Sequence, residues 1–265
     1  MRLRPSDDRP LLLGVLHLAA LPGAPSPSPG LEDVETRALA DARALAEGGV
    51  DGLILENFGD APFSAGAVEP YIVAAMTRIA LAVRAAVPDL LLGVNVLRND
   101  ARAALGIATA VGAAFIRVNV HVGAMVTDQG LVTGTARDTL LERRRLGSEV
   151  AIAADLLVKH AAPLGAVSVE QAARDTWTRG RADALIVTGS GTGQPFDPMD
   201  VDRVRRCVPA APIWAGSGLD PDSARAFAAV LDGAIVGTWF HRDGDLTAPV
   251  EPDRVRALRD AFRRG

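Results

Sequence analysis

Lysine is nearly missing from this chain. Of 28 Lys plus Arg, only Lys159 is a lysine, in the stretch "DLLVKH" (155–160). Cysteine is equally scarce. Cys207 stands alone, so no internal disulfide can form, which fits a reducing compartment. In "VRRCVPAAP" it reads as a small packing residue near a helix end. Positive charge is not in excess: the formal net charge is −4, which argues against broad nucleic-acid binding. The run Arg143, Arg144, Arg145 is expected to be a solvated helix face. No apolar stretch approaches the roughly 20 residues of a membrane span, and the polar start "MRLRPSDDRP" does not resemble a signal peptide. The expectation is a cytoplasmic, soluble protein without membrane insertion.

What the chain does have is alternation. Short apolar runs at 11–18, 52–57, 91–97, 115–121, 151–160, 184–189, 212–218 and 234–240 are each followed by a helix-like pattern. Near-continuous apolar runs suit strands buried on both faces. Strict β–α alternation implies parallel strands with right-handed crossovers, and eight units in a 265-residue chain is the count of a single-domain (β/α)8 barrel. A doubly wound sheet is the alternative and would show fewer units. Two long segments fall in loops of the catalytic face: "APSPSPG" (24–30), expected as a lid, and 122–134, expected to hold a small hairpin.

In a barrel, polar residues at the C-terminal ends of strands are candidates for function. His17, His121, His160 and His241, the chain's four histidines, all fall at or just past such ends. Side chains two residues apart on a strand share a side, which groups Arg117, Asn119 and His121, and also Asp155 and Lys159. In two further runs, Glu56 ends "LILE" and Asn95 lies in "GVNV". Such polar groups are costly inside a sheet unless they pair or bind something. The structural alternative is a buried network with Arg117 paired to Asp155 or Glu56. Glycine-rich turns follow three runs: "TGSGTGQPFD" (188–197), "AGSGLDPDSA" (215–224) and "GTWF" (237–240). Backbone N–H groups in such turns bind phosphate, which selects Gly216, Ser217, Gly218, Gly237 and Thr238, with Thr188 and Ser190 as substrate contacts. Asp197-Pro198 and Asp220-Pro221 read instead as helix N-caps. His17, Glu56, His121 and Asp155 are also conceivable ligands for a divalent metal, although no pair has a diagnostic spacing.

Segments such as "GVLHLAALPGAP", "DGLILENFGDAPF", "FIRVNVHVGAMVTDQGLVTG", "DLLVKHAAPLG" and "ALIVTGSGTGQPFD" together resemble the BtpA/SgcQ family over nearly the whole chain. The resemblance implies a TIM barrel of the phosphate-binding type. The family's founding member is a factor for photosystem I accumulation, and a bacterial relative is assigned to a sugar operon or to nucleotide hydrolysis. It carries no established catalytic residues. Two functions are therefore expected to compete. The first is an enzyme on a small phosphorylated metabolite, a sugar or nucleoside phosphate, with lyase, isomerase and hydrolase chemistry all open. Lys159 would be its electrophile or Schiff-base amine, Asp155, His121, Glu56 and His17 its proton-moving groups, and Asn95, Arg117, Asn119 and His160 its substrate contacts. The second is a non-catalytic photosystem I assembly or stability factor. A homo-oligomer is expected on general grounds.

Overall fold

The computed structural model describes residue 3, residues 9–189 and residues 196–263. In chain order the strands are β1 (Leu11–His17), β2 (Gly52–Glu56), β3 (Leu91–Asn95), β4 (Phe115–Val118), β5 (Ala124–Thr127), β6 (Gly130–Thr133), β7 (Ala151–Leu156), β8 (Ala161–Pro163), β9 (Ala184–Val187), β10 (Ile213–Ala215) and β11 (Gly233–Val236). The helices are α1 (Leu31–Gly48), α2 (Pro70–Ala86), α3 (Ala101–Val111), α4 (Ala136–Arg145), α5 (Val169–Arg174), α6 (Pro198–Cys207), α7 (Pro221–Phe227) and α8 (Pro252–Ala261). Eight strands close a parallel barrel in the order β1-β11-β10-β9-β7-β4-β3-β2, which settles the architecture as a TIM barrel.

Alternation along the strands explains what fills the barrel. Leu11, Leu13, Val15, Ile54, Phe115, Ala153, Ile186, Trp214 and Ile235 form one buried apolar cluster. Phe115 and Trp214 meet edge to face at 5.4 Å within it, and the Trp214 indole donates to the Leu3 carbonyl. The columns then change chemistry two residues further on. Val15 gives way to His17, Ile54 to Glu56, Phe115 to Arg117 and Ala153 to Asp155. Register places His17 beside Glu56 and Glu56 beside Asn95. A larger cluster, including Leu45, Ile79, Leu105, Val204 and Leu258, seals the helices to the outside of the barrel.

The N-terminal face is fastened by acidic residues. Asp51, Asp183 and Asp232 accept the backbone N–H of Leu12, Ile152 and Ile213 on neighbouring strands, and each also binds an arginine: Arg9, Arg143 and Arg205. Arg143 thus belongs to this clamp, while Arg144 and Arg145 are exposed as expected. Asp197 and Asp220 cap α6 and α7 by accepting from Met199 and Ser223, with proline next in each helix. Cys207 is half-buried, its thiol directed to the Val204 carbonyl.

Several strands end short of the expected runs, and two of these ends reshape the site. The runs at 115–121 and 151–160 leave the barrel at Val118 and Leu156. Leu157 (φ 49°) and His160 (φ 56°) adopt left-handed backbone, so side-sharing with Asp155 does not extend to Lys159. The released chain builds a three-stranded antiparallel sheet, β6-β5-β8, over the C-terminal face. The hairpin within 122–134 is its first half.

Candidate functional site

The floor of the barrel mouth is an ionic network. The Arg117 guanidinium forks onto Asp155, Nε to Oδ1 at 3.0 Å and Nη2 to Oδ2 at 3.1 Å. Asn119 donates to the same carboxylate at 2.8 Å. On the other side Arg117 lies 4.0 Å from Glu56, which accepts from Asn95 at 2.6 Å. The expected network and the expected functional face are thus the same residues. Burial would raise the Glu56 carboxyl. The charges of Arg117, His17 and Lys159 and the Asn95 hydrogen bond outweigh it, so Glu56 is held below the ordinary carboxylate range. Burial likewise opposes the Arg117 charge, but Asp155 and Glu56 hold it protonated.

Three groups at this mouth remain available. Desolvation is the main reason that the His17 imidazole is pushed down to about 4, so it is neutral at pH 7; Glu56 opposes the shift. The ring packs edge-on to Phe58 at 5.0 Å, and its Nδ1 is buried without a hydrogen-bond partner among the described residues. Lys159 stands on the left-handed turn after β7, and Arg98 fixes that turn by donating to the Lys159 carbonyl at 2.8 Å. Burial and then Arg117 lower the Lys159 pKa from its ordinary value. Among the described residues its ammonium forms no salt bridge. Glu56 is the third group, a carboxylate paired on one side only.

These groups sit where two lobes of one mouth meet, since Glu56, Arg117 and Lys159 line both. The first lobe, about 340 Å³, runs toward Gly216–Gly218 after β10 and Gly237 and Thr238 after β11. Gly218 has φ +74°, a conformation that favours glycine. A Cβ on Gly237 would lie 2.3 Å from His17 Cε1, so glycine lets the imidazole pack against this loop. Asp220 and Asp243 also line the lobe, as does Arg254, whose guanidinium stacks 4.2 Å above the Trp239 ring. The second lobe, about 430 Å³, runs the other way, past Phe58, Phe63, Leu97 and Arg98.

The expected site residues divide accordingly. His17, Glu56, Arg117, Lys159, Gly216, Ser217, Gly218, Gly237 and Thr238 line the first lobe, and Asn119 and His160 the second. Asn95 and Asp155 lie behind them in the network. Thr188 is half-buried beside Gly216, and its Oγ1 has no hydrogen-bond partner among the described residues. Ser190 lies outside the described residues. His121 departs from expectation. The chain has left β4 before it, and its Nε2 donates to the Gly180 carbonyl at 2.9 Å, away from both lobes. Burial also lowers its pKa. The metal set of His17, Glu56, His121 and Asp155 therefore does not assemble. Among the described residues no group of three or more His, Cys, Asp or Glu is placed to hold a metal ion. Arg98, Arg254, Phe58 and Phe63 were not expected. Arg98 was within reach of the strand-end argument, because it follows β3 as Lys159 follows β7.

Fold and mouth define the class: a (β/α)8 barrel protein with a charged, two-lobed cavity at the C-terminal ends of its strands. The chain belongs to the BtpA family, whose profile matches residues 8–264. It is 44% identical over 254 residues to the photosystem I biogenesis protein BtpA of Synechocystis sp., a match covering 96% of this chain and 88% of that protein. An uncharacterized protein of Pyrococcus furiosus is 42% identical over 247 residues, covering 93% and 92%. Among solved structures, tryptophan synthase of Mycobacterium tuberculosis superposes with a TM-score of 0.64 at 16% identity, covering 97% of this chain and 94% of that one. That likeness concerns the fold alone. Among the described residues, no helix is long and apolar enough to cross a membrane.

Proposed function

We propose that the chain is an enzyme acting on a small phosphorylated metabolite at the barrel mouth. The observation that carries this reading is the Lys159 ammonium, unpaired among the described residues and placed where both lobes meet a buried ion network. Such a network is costly to bury, and an unpaired, partly desolvated ammonium adds to that cost, as expected of a group retained for chemistry. The phosphate binds to the loops Gly216–Gly218 and Gly237–Thr238, with Arg254 as the nearby cation. The reacting carbon lies at Lys159, which acts either as an amine forming a Schiff base or as an ammonium holding an oxyanion. Glu56 and neutral His17 move protons, while Arg117, Asn95, Asn119 and Asp155 hold these groups in place. Lyase, isomerase and hydrolase outcomes all fit these roles.

The test is a screen of phosphorylated aldehydes, ketones and nucleotides for turnover, repeated with Lys159→Arg and in the presence of borohydride. Loss of activity in Lys159→Arg supports the lysine role. Trapping of a reduced adduct at Lys159 selects the Schiff base over the oxyanion role. Full activity of Lys159→Arg removes both.

The name of the Synechocystis relative supports a second reading, a non-catalytic role in photosystem I biogenesis. It gives no work to the charged cavity. Complementation of a Synechocystis strain lacking its BtpA separates the two. If this chain and its Lys159→Met variant restore photosystem I equally, the biogenesis role does not use the cavity.

A further inference from the structure

The reading above gives the first lobe a phosphate and leaves the second without an occupant. Aromatic side chains are scarce in this chain, yet two of its seven phenylalanines, Phe58 and Phe63, stand in the wall of the second lobe with Leu97 and Ala61. Arg98 and Lys159 line the same space. A hydroxyl-coated sugar gains little from an apolar wall, which strips water from groups it cannot hydrogen-bond. A flat π-system suits it, because aromatic neighbours stack on or edge it and cations favour its face.

Two further atoms point the same way. Arg98 is 5% exposed, and its Nε is buried without a hydrogen-bond partner among the described residues. Asn119 has the same deficit at Oδ1 among the described residues. The orientation of that amide is set by Asp155, since a carboxylate accepts only and must face Nδ2. The wall thus contains one unsatisfied donor and one unsatisfied acceptor. A ring carrying both C=O and N–H, as a nucleobase does, can satisfy both after small side-chain rotations.

We infer that the second lobe is a subsite for a flat heterocyclic ring, so that the substrate is a nucleoside monophosphate rather than a plain sugar phosphate. The ring lies by Phe58 and Phe63, the sugar crosses Glu56, Arg117 and Lys159, and the phosphate reaches the glycine loops. The inference rests on the phosphate assignment made above.

Isothermal titration of the full chain tests it with inorganic phosphate, ribose 5-phosphate, the common nucleoside 5′-monophosphates and the parent nucleosides. At least one nucleotide is expected to bind about tenfold or more tightly than ribose 5-phosphate, a difference typical of one well-used contact. Phe63→Ala, which removes part of the wall, and Ala61→Trp, which fills the lobe, should both erase that advantage while leaving ribose 5-phosphate affinity unchanged. Circular dichroism checks that both variants fold. Nucleosides binding without any response to phosphate would keep the ring subsite and sink the phosphate assignment. Equal affinity for ribose 5-phosphate and every nucleotide, binding by none of the ligands, or an advantage that survives both variants overturns the inference.

Discussion

Replacing Arg117 with methionine probes the floor of the mouth. Arg117 is 3% exposed and makes two hydrogen bonds to Asp155, whose side chain is fully buried, with Glu56 at 4.0 Å. Methionine keeps most of the volume but strands two carboxylates. Breaking a buried pair in this way costs about 3–5 kcal/mol. The cost should depend on pH, and the sign follows from Glu56. In the native protein its folded pKa is below the ordinary value of 4.5, so its contribution is full above 4.5 and lost as pH falls through the lower folded value. Arg117 is the largest of the opposing influences, so its removal is predicted to let desolvation push Glu56 above 4.5. The variant then carries a penalty that is full above the raised value and relieved as pH falls toward 4.5. Urea unfolding followed by circular dichroism at about pH 8 and about pH 5 should show the deficit shrinking on acidification. A deficit below about 1 kcal/mol, or one that does not change with pH, would refute the account of the network.

The other predictions concern single contacts. Asp232→Ala removes an acceptor for the Ile213 N–H and for Arg205 on the N-terminal face, and should cost about 1–3 kcal/mol without changing ligand affinity at the mouth. Calorimetry and titration on the same variant check both halves. Gly237→Ala places a Cβ against His17, so it should weaken phosphate binding while circular dichroism stays native. Because His17 is held at about 4, its imidazole resonances should show no titration step between pH 6 and pH 8, by NMR with a His17→Gln control for assignment. A step near the ordinary histidine value would mean that His17 is more hydrated than the packing implies. Size-exclusion chromatography with light scattering should find a homo-oligomer, with exposed Val126, Leu131 and Leu164 on or beside the accessory sheet as the surfaces to mutate.

The barrel was legible because its strands are written as eight apolar runs, and the mouth because four strand columns switch from apolar to ionisable. Val15–His17 and Ile54–Glu56 show this switch two residues apart, with His17 and Glu56 as the last residues still on their strands. Alternation failed where the strand had already ended. His121 lies three residues beyond Val118 and turns to Gly180. Lys159 lies three beyond Leu156, yet the turn held by Arg98 returns it to the mouth. Its address was readable from the chain, but the route to it was not. Arg98 and Arg254 were hidden by their own abundance, since arginine in a chain nearly devoid of lysine carries little positional signal. Phe58 and Phe63 carry no such signal either, because which walls a loop builds depends on contacts across several loops.

The scarcity of lysine supplies the most direct measurement. Selective ¹³Cε-lysine labelling gives a protein with one labelled side chain, Lys159, and therefore one resonance to titrate. The account predicts a pKa below the ordinary lysine value of 10.5, and a shift of that resonance when inorganic phosphate or a phosphorylated ligand saturates the mouth. A resonance titrating at or above 10.5 and indifferent to every such ligand would contradict it.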